Sequence, residues 1–295
     1  MNVLITGASG MIGSALTRYL ASKGHTVKGL VRGDAATGQP FWNPSRGEID
    51  FDGFPVEAVI NLAGENVAQG RWTDDKKNRI LKSRVDSTRL LAQYIANLEN
   101  KPKVLISGSA VGFYGNCGAN VIDESFPLGQ GFLANVCKEW EAACQPAQEA
   151  GIRVAYLRTG MILSAGGGAL KQMLLPFKLG LGGVIGSGRQ YISWASIKDM
   201  VGMIEHIIDH PELQGPINMV SPEAVTNHQL TKALGRVLKR PTIMSLPAFM
   251  ARLVFGSQMA EEMLLASANV KPIKIQESGY QFKFEDLEKS LRDLL

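Results

Sequence analysis

Three glycines, Gly7, Gly10 and Gly13, stand directly after the apolar run Asn2-Val3-Leu4-Ile5-Thr6. Ser14 to Leu20 follows with Leu16, Tyr19 and Leu20 at helical spacing, so the order reads strand, glycine turn, helix. Each glycine permits something a side chain would block. Gly7 lets the chain turn sharply off the strand, Gly10 leaves backbone open to a close-approaching group, and Gly13 lets the helix pack near the sheet. The helix N-terminus adds unpaired N–H groups and partial positive charge, which is chemistry suited to a diphosphate. With Ser9, Met11 and Ile12 completing the turn, the stretch predicts a dinucleotide-binding opening of the Rossmann type.

Further along, Thr26 to Val31 reads as a second strand ending at Arg32. In this fold an acidic residue near that strand end holds the ribose hydroxyls of NAD, whereas an arginine accommodates the 2′-phosphate of NADP. Arg32 therefore favours NADP over NAD, the alternative being a plain exposed loop arginine. Ala58 to Asn61 is another buried strand, and Leu62-Ala63-Gly64 is a small-residue turn that brings backbone close to a cofactor. Lys103 to Ser107 is the next, running into Gly108-Ser109-Ala110-Val111-Gly112-Phe113-Tyr114-Gly115. A hydroxyl just past that strand end, Ser109, is placed to hydrogen-bond a carbonyl or hydroxyl undergoing hydride transfer. A serine capping a turn reads the same way.

Metal chemistry finds little support. His206 and His210 are four apart on a helix, but Asp209-His210-Pro211 reads as a helix end, where histidine meets the dipole favourably, and further zinc ligands are not in view. The three cysteines, Cys117, Cys137 and Cys144, match no zinc or redox spacing and suit a reducing compartment. A net charge of +4 from mixed signs, with no basic tail, argues against nucleic acid as partner. No run reaches the roughly 18 apolar residues of a membrane helix, and Met1 leads straight into a strand with no room for a cleavable signal. The expectation is a cytoplasmic protein with a small-molecule substrate.

The elements that must position these residues follow from the patterning. Strand and helix alternate from residue 1 to about 160, with helical stretches at 72–99 and 132–150 and a strand at Val154 to Arg158, which predicts a parallel, doubly wound α/β sheet. Residues 34–52, with Phe41 and Trp42, are expected to hold a hairpin or extra strand. Beyond Thr159 the texture changes, and 161–295 reads as a smaller C-terminal α/β, substrate-binding part. It holds Gly166-Gly167-Gly168 before a helical run, five glycines between Gly180 and Gly188, and Arg189, Tyr191 and Trp194 nearby. Helices are expected over 200–208, 226–238 with Asn227 as cap, and 282–295. The apolar, methionine-rich stretch 246–265 reads as core or subunit contact, consistent with a homodimer.

These residues resemble the short-chain dehydrogenase/reductase superfamily in its extended, sugar-nucleotide-epimerase-like branch. The resemblance rests on Gly7, Gly10 and Gly13, on Asn61 to Gly64, on Ser107 to Gly115, and on Tyr191 to Asp199. It spans the chain, which more narrowly looks like the poorly characterised epimerase-family proteins whose C-terminal segment resembles 246–295, with Gly166 to Trp194 the most specific stretch. It implies an NADP(H)-binding oxidoreductase or epimerase-like enzyme on a small polar substrate, such as a sugar nucleotide. Redox members carry a tyrosine and, four residues later, a lysine that lowers its pKa. Aligned on Lys138-Glu139-Trp140-Glu141, those positions hold Leu133 and Cys137, and Lys138 points about 100° away around the helix. Ser109 matches the upstream serine, Arg84 stands in place of an asparagine and is a candidate for holding an anionic substrate or cofactor group, and Tyr114 is a substitute acid candidate. Cys137 is a nucleophile only if it is exposed and activated. The missing pair leaves open a non-catalytic, NADP(H)-binding structural or sensing protein.

Overall fold

A computed structural model describes residues 1–33 and 38–295. Its centre is an eight-stranded sheet built from β1 (Asn2–Thr6), β2 (Thr26–Arg32), β3 (Phe41–Asn43), β4 (Glu48–Asp50), β5 (Ala58–Asn61), β6 (Val104–Ala110), β7 (Arg153–Thr159) and β8 (Gly215–Met219). The spatial order is β8-β7-β6-β5-β1-β2-β3-β4, parallel throughout except for β4, which runs antiparallel to β3. The hairpin expected within 34–52 is thus β3–β4, while 34–37 lie outside the described residues. The sheet also takes an edge strand, β8, from beyond residue 160.

The apolar runs are continuous because both faces of the sheet are covered, so alternate side chains enter two different cores. Val3, Ile5, Ala58, Ile60, Val104, Ile106, Ala155 and Leu157 point into one, roofed by α1 (Met11–Ser22) and by the helix Ile197–Asp209. Leu4, Val59, Leu105, Val154 and Tyr156 point into the other, against Leu91, Ala92 and Ile95 of α2 (Asp74–Ala96). The α2 start is set by Thr73, whose Oγ1 accepts from the Lys76 N–H at 3.2 Å. The helix expected over 132–150 is two, α3 (Phe132–Ala142) and Gln145–Glu149, divided ahead of Pro146, which has no N–H to continue the ladder.

The C-terminal part has its own core of Leu163, Leu170, Phe177, Trp194, Leu230, Leu234, Leu287 and Leu291. Helix Asn227–Leu238 begins one residue later than expected: Thr226 is its cap, in a capping box with Gln229, and Asn227 instead accepts the Ile185 N–H at 2.8 Å. The stretch 246–265 is broken by Gly256, whose φ of 88° ends the helix Ala248–Phe255. On that helix Ala251 is buried, but Phe249 and Leu253 are 67% and 72% exposed, so the fold's own core does not account for the apolar pattern. Only Leu287–Leu294 of the expected terminal helix forms, capped by Asp286, because Lys283 and Phe284 give their N–H groups to the buried Asp199 carboxylate at 2.7 and 3.1 Å. No helix among the described residues is long and apolar enough to cross a membrane.

Candidate functional site

The chain runs outward from β1 to β2 on one side and continues from β5 on the other, so the carboxyl ends of β1 and β5 flank the topological switch point where open α/β sheets collect ligands. Gly7 leaves β1 there with φ +68°, and a Cβ on it would lie 2.9 Å from the Leu62 carbonyl carbon. A Cβ on Gly13 would lie 2.2 Å from the Gly7 carbonyl oxygen, so α1 sits directly on the turn. Gly10 differs: its absent Cβ would face only the Gly7 oxygen, at 3.2 Å, and the residue is exposed together with Ser9. Two glycines therefore permit close packing and the third keeps an open cradle at the helix N-terminus. Met11 and Ile12 begin that helix, half-buried, with no side chain capping it. Met11 packs against Gly167 and Gly168, bringing the glycine-rich start of the helix Gly168–Lys178 over the turn.

Beneath the cradle, a buried polar network ties four elements together. Thr6 donates to Asn61 at 2.7 Å and accepts the Leu62 and Ala63 N–H groups at 3.1 Å each. Asn61 donates to Thr88 of α2 at 2.7 Å, and Thr88 also accepts the Trp140 indole N–H of α3 at 2.9 Å. The Thr6 hydroxyl bonds the two successive N–H groups of Leu62 and Ala63, so the Leu62-Ala63-Gly64 turn is held beside Gly7. At the far end of the edge, β2 closes at Arg32 as its sequence pattern indicates, and Arg32 is exposed there.

Arg84 reaches the Gly64 turn from α2. A Cβ on Gly64 would lie 3.1 Å from its guanidinium carbon, and the same carbon stands 5.0 Å over the Trp140 ring. Its hydrogen bond goes to the Ile80 carbonyl of its own helix, at 3.1 Å. Burial draws its pKa below the ordinary arginine value, with Cys137 and Glu65 acting in the opposite direction. Leu133 and Cys137, at the tyrosine and lysine positions, lie on α3 opposite Gly112. Lys138 is turned outward, its side chain 57% exposed beside Glu139.

Ser109 is not past the strand end. The strand β6 runs to Ala110, three residues beyond the apolar pattern, and Ser109 pairs in register with Arg158. Being 3% exposed, it donates to Glu141 of α3 at 2.7 Å. Arg158 grips the same carboxylate with two bonds, 2.9 and 3.0 Å, and also donates to the Tyr114 hydroxyl at 3.1 Å. Burial opposes the charge on Arg158, yet Glu141 beside it holds the guanidinium's pKa above its ordinary value. Tyr114 donates onward to Asn218 at 2.7 Å and is 1% exposed. Burial pushes its pKa up to about 12, against the pull of Arg158. The hydroxyls of Ser109 and Tyr114 are thus both spent inside the protein. Glu141 and Asn218 were not among the residues singled out from sequence. Arg158, a charge inside an apolar strand, was a visible sign that a buried partner must exist.

Neither histidines nor cysteines form a reactive centre. The rings of His206 and His210 stack at 3.8 Å, with Ser278 and Glu212 as their hydrogen-bond partners, and no group of three metal-ligating side chains occurs among the described residues. Cys137 is 3% exposed, and burial pushes its thiol up to about 11; Cys144 is fully buried and pushed up to about 12. Cys117 is also buried. The native protein is therefore expected to react with an aromatic disulfide reagent far more slowly than the denatured chain, which should titrate all three thiols. Rapid native labelling of Cys137 would restore it as a nucleophile.

A parallel-dominated, doubly wound sheet with a glycine cradle at its switch point defines a Rossmann-type α/β protein. The chain belongs to the NAD dependent epimerase/dehydratase family, which matches residues 3–220, and residues 246–294 match a domain of unknown function. It is 42% identical over 291 residues to an epimerase family protein of Mycobacterium bovis, covering 98% of this chain and 96% of that one. The human epimerase family protein SDR39U1, crystallised as isoform 2 with NADPH, superimposes with a TM-score of 0.91 at 34% identity, covering 100% of this chain and 99% of the other. UDP-glucose 4-epimerase of Thermus thermophilus in complex with NAD shares the fold, with a TM-score of 0.77 at 16% identity over 100% and 97% of the two chains.

Proposed function

We propose that this chain binds NADP(H) across the carboxyl edge of β2, β1 and β5 and is an oxidoreductase of a small polar substrate. The observation that carries the reading is the division of labour in the turn, where Gly7 and Gly13 are closed by backbone contacts and Gly10 is left open at the start of α1. In this reading the backbone of Ser9, Gly10, Met11, Ile12 and Gly13 holds the diphosphate and Arg32 the 2′-phosphate. Leu62, Ala63 and Gly64 line the far half, where Arg84 stands. The NADPH found with the human relative supports the choice of cofactor. Such a cofactor supplies a hydride when bound. No tyrosine stands where redox members of the superfamily carry their acid, so the Arg84 guanidinium takes over stabilising negative charge there, while Ser109 and Tyr114 hold the framework that positions α3. Leu133 and Cys137 favour a second reading, cofactor binding without turnover.

The test is a fluorescence titration with NADPH, NADP+, NADH and NAD+. Micromolar binding of the phosphorylated pair, weakened at least about tenfold for the others, corresponds to roughly 1.4 kcal/mol or more. Arg32→Ala should abolish that discrimination while leaving NADH affinity unchanged. Failure of all four to bind would overturn the proposal. Loss of NADPH absorbance on adding carbonyl substrates would decide for the oxidoreductase; a protein that binds tightly and never consumes NADPH would decide for the second reading.

A further inference from the structure

Among the described residues Arg84 makes no direct ion pair, and Glu65, the carboxylate that acts on its charge, is itself bonded to Lys76. The neighbours of Arg84 are the ring of Trp140, the backbone of Gly64 and the thiol of Cys137, which stays neutral near pH 7 because burial raises its pKa to about 11. The two carboxylates in the region are taken. Glu65 is paired with Lys76 at 2.7 Å and with Arg79 at 3.8 Å, and Glu141 is paired with Arg158 and hydrogen-bonded by Ser109. Arg84 also has guanidinium N–H groups to spare after bonding the Ile80 carbonyl. Desolvating a guanidinium that no carboxylate bonds directly costs stability, and a ligand whose electrostatics suit it would offset that cost.

Its place along the cleft identifies which part of the ligand it meets. Arg32 marks the β2 side, the glycine cradle lies at β1, and Gly64 with Trp140 lies on the β5–β6 side. A dinucleotide laid across the switch point with its 2′-phosphate at Arg32 puts its other half, the nicotinamide nucleoside, on the Arg84 side.

Resting on the NADP(H) reading above, we infer that Arg84 makes the site selective for the redox state of its cofactor, favouring NADPH over NADP+. The oxidised ring carries a positive charge and the reduced ring none. A guanidinium with no direct ion pair in a partly desolvated setting repels the former, and at an effective dielectric of about 20 two unit charges several ångströms apart interact strongly enough for about tenfold or more in affinity. The lysine that serves redox members of the superfamily is absent from α3, so the cation is supplied from α2 instead.

The experiment compares NADPH, NADP+ and adenosine 2′,5′-bisphosphate on the wild-type chain, Arg84→Met and Arg84→Lys. The wild type should bind NADPH about tenfold or more tighter than NADP+. In Arg84→Met the ratio should fall to within about threefold, and Arg84→Lys should restore it in part. Adenosine 2′,5′-bisphosphate, which lacks the nicotinamide half, should bind all three proteins alike. That result also shows that the variants are folded and that the β2 side is as proposed. Equal wild-type affinities for NADPH and NADP+, or a ratio undiminished in Arg84→Met, would overturn the inference while the bisphosphate still binds. Failure of the bisphosphate and both dinucleotides on the wild type would overturn the cofactor reading beneath it.

Discussion

Gly13→Ala is expected to abolish NADPH binding and to destabilise the fold together, whereas Gly10→Ala should abolish binding alone. The added methyl on residue 13 would lie 2.2 Å from the Gly7 carbonyl oxygen and 2.8 Å from the Ala8 Cα, both backbone, so no side-chain rotation can relieve the overlap. Either α1 lifts off the turn or the turn opens, and overpacking of this kind costs about 1–3 kcal/mol. At residue 10 the same methyl meets only the Gly7 oxygen, at 3.2 Å, and otherwise projects from an exposed position. The protein can accommodate it; a diphosphate lying on the backbone there cannot. Urea unfolding midpoints read against NADPH titrations separate the two effects. A Gly10→Ala protein that binds NADPH normally would mean that the ligand does not use this cradle.

Glu141→Ala should be among the most damaging single substitutions in the chain, for a reason unrelated to any ligand. Its carboxylate is the ionic partner of Arg158, which is 4% exposed, and it also accepts from Ser109. Removing it strands a buried guanidinium whose other polar contact is the Tyr114 hydroxyl and whose face lies 3.5 Å over the Phe113 ring. Breaking a buried pair from one side costs about 3–5 kcal/mol, a large share of the roughly 5–15 kcal/mol that holds an ordinary protein folded. The double variant Glu141→Leu/Arg158→Met removes both charges and should recover much of the loss, so the two single effects will not add. Denaturant midpoints of the three variants measure this directly. A Glu141→Ala protein within about 1 kcal/mol of wild type would show that water reaches the pair in solution.

These two sites differ in how far they could be read from sequence. The glycine turn was legible because every requirement is local: the apolar run, the three glycines and the helix that follows lie within twenty consecutive residues. The Glu141–Arg158 pair joins residues on α3 and β7, and nothing in the spacing says that they meet. Ser109 shows how a small boundary shift redirects a side chain. The pattern Val104-Leu105-Ile106-Ser107 stops being apolar at Ser107, but the ladder with β7 continues through Ala110↔Thr159, so Ser109 becomes a strand residue facing α3 rather than a turn residue facing the cleft.

By itself the sequence determined the alternation of strands and helices, the buried character of the parallel strands, and the glycine turn with Arg32 at the end of the next strand. All of these follow from residue type and short-range periodicity, which need no partner to be read. Tertiary structure alone decided that the Arg84 guanidinium lies on Gly64 and Trp140, that Thr6, Asn61 and Thr88 form one network, and that Tyr114 is consumed by Arg158 and Asn218. Those contacts depend on strand order and register, which place residues tens of positions apart within hydrogen-bonding distance. The direction of a side chain at such a meeting is set by pairing across the sheet, not by its neighbours along the chain.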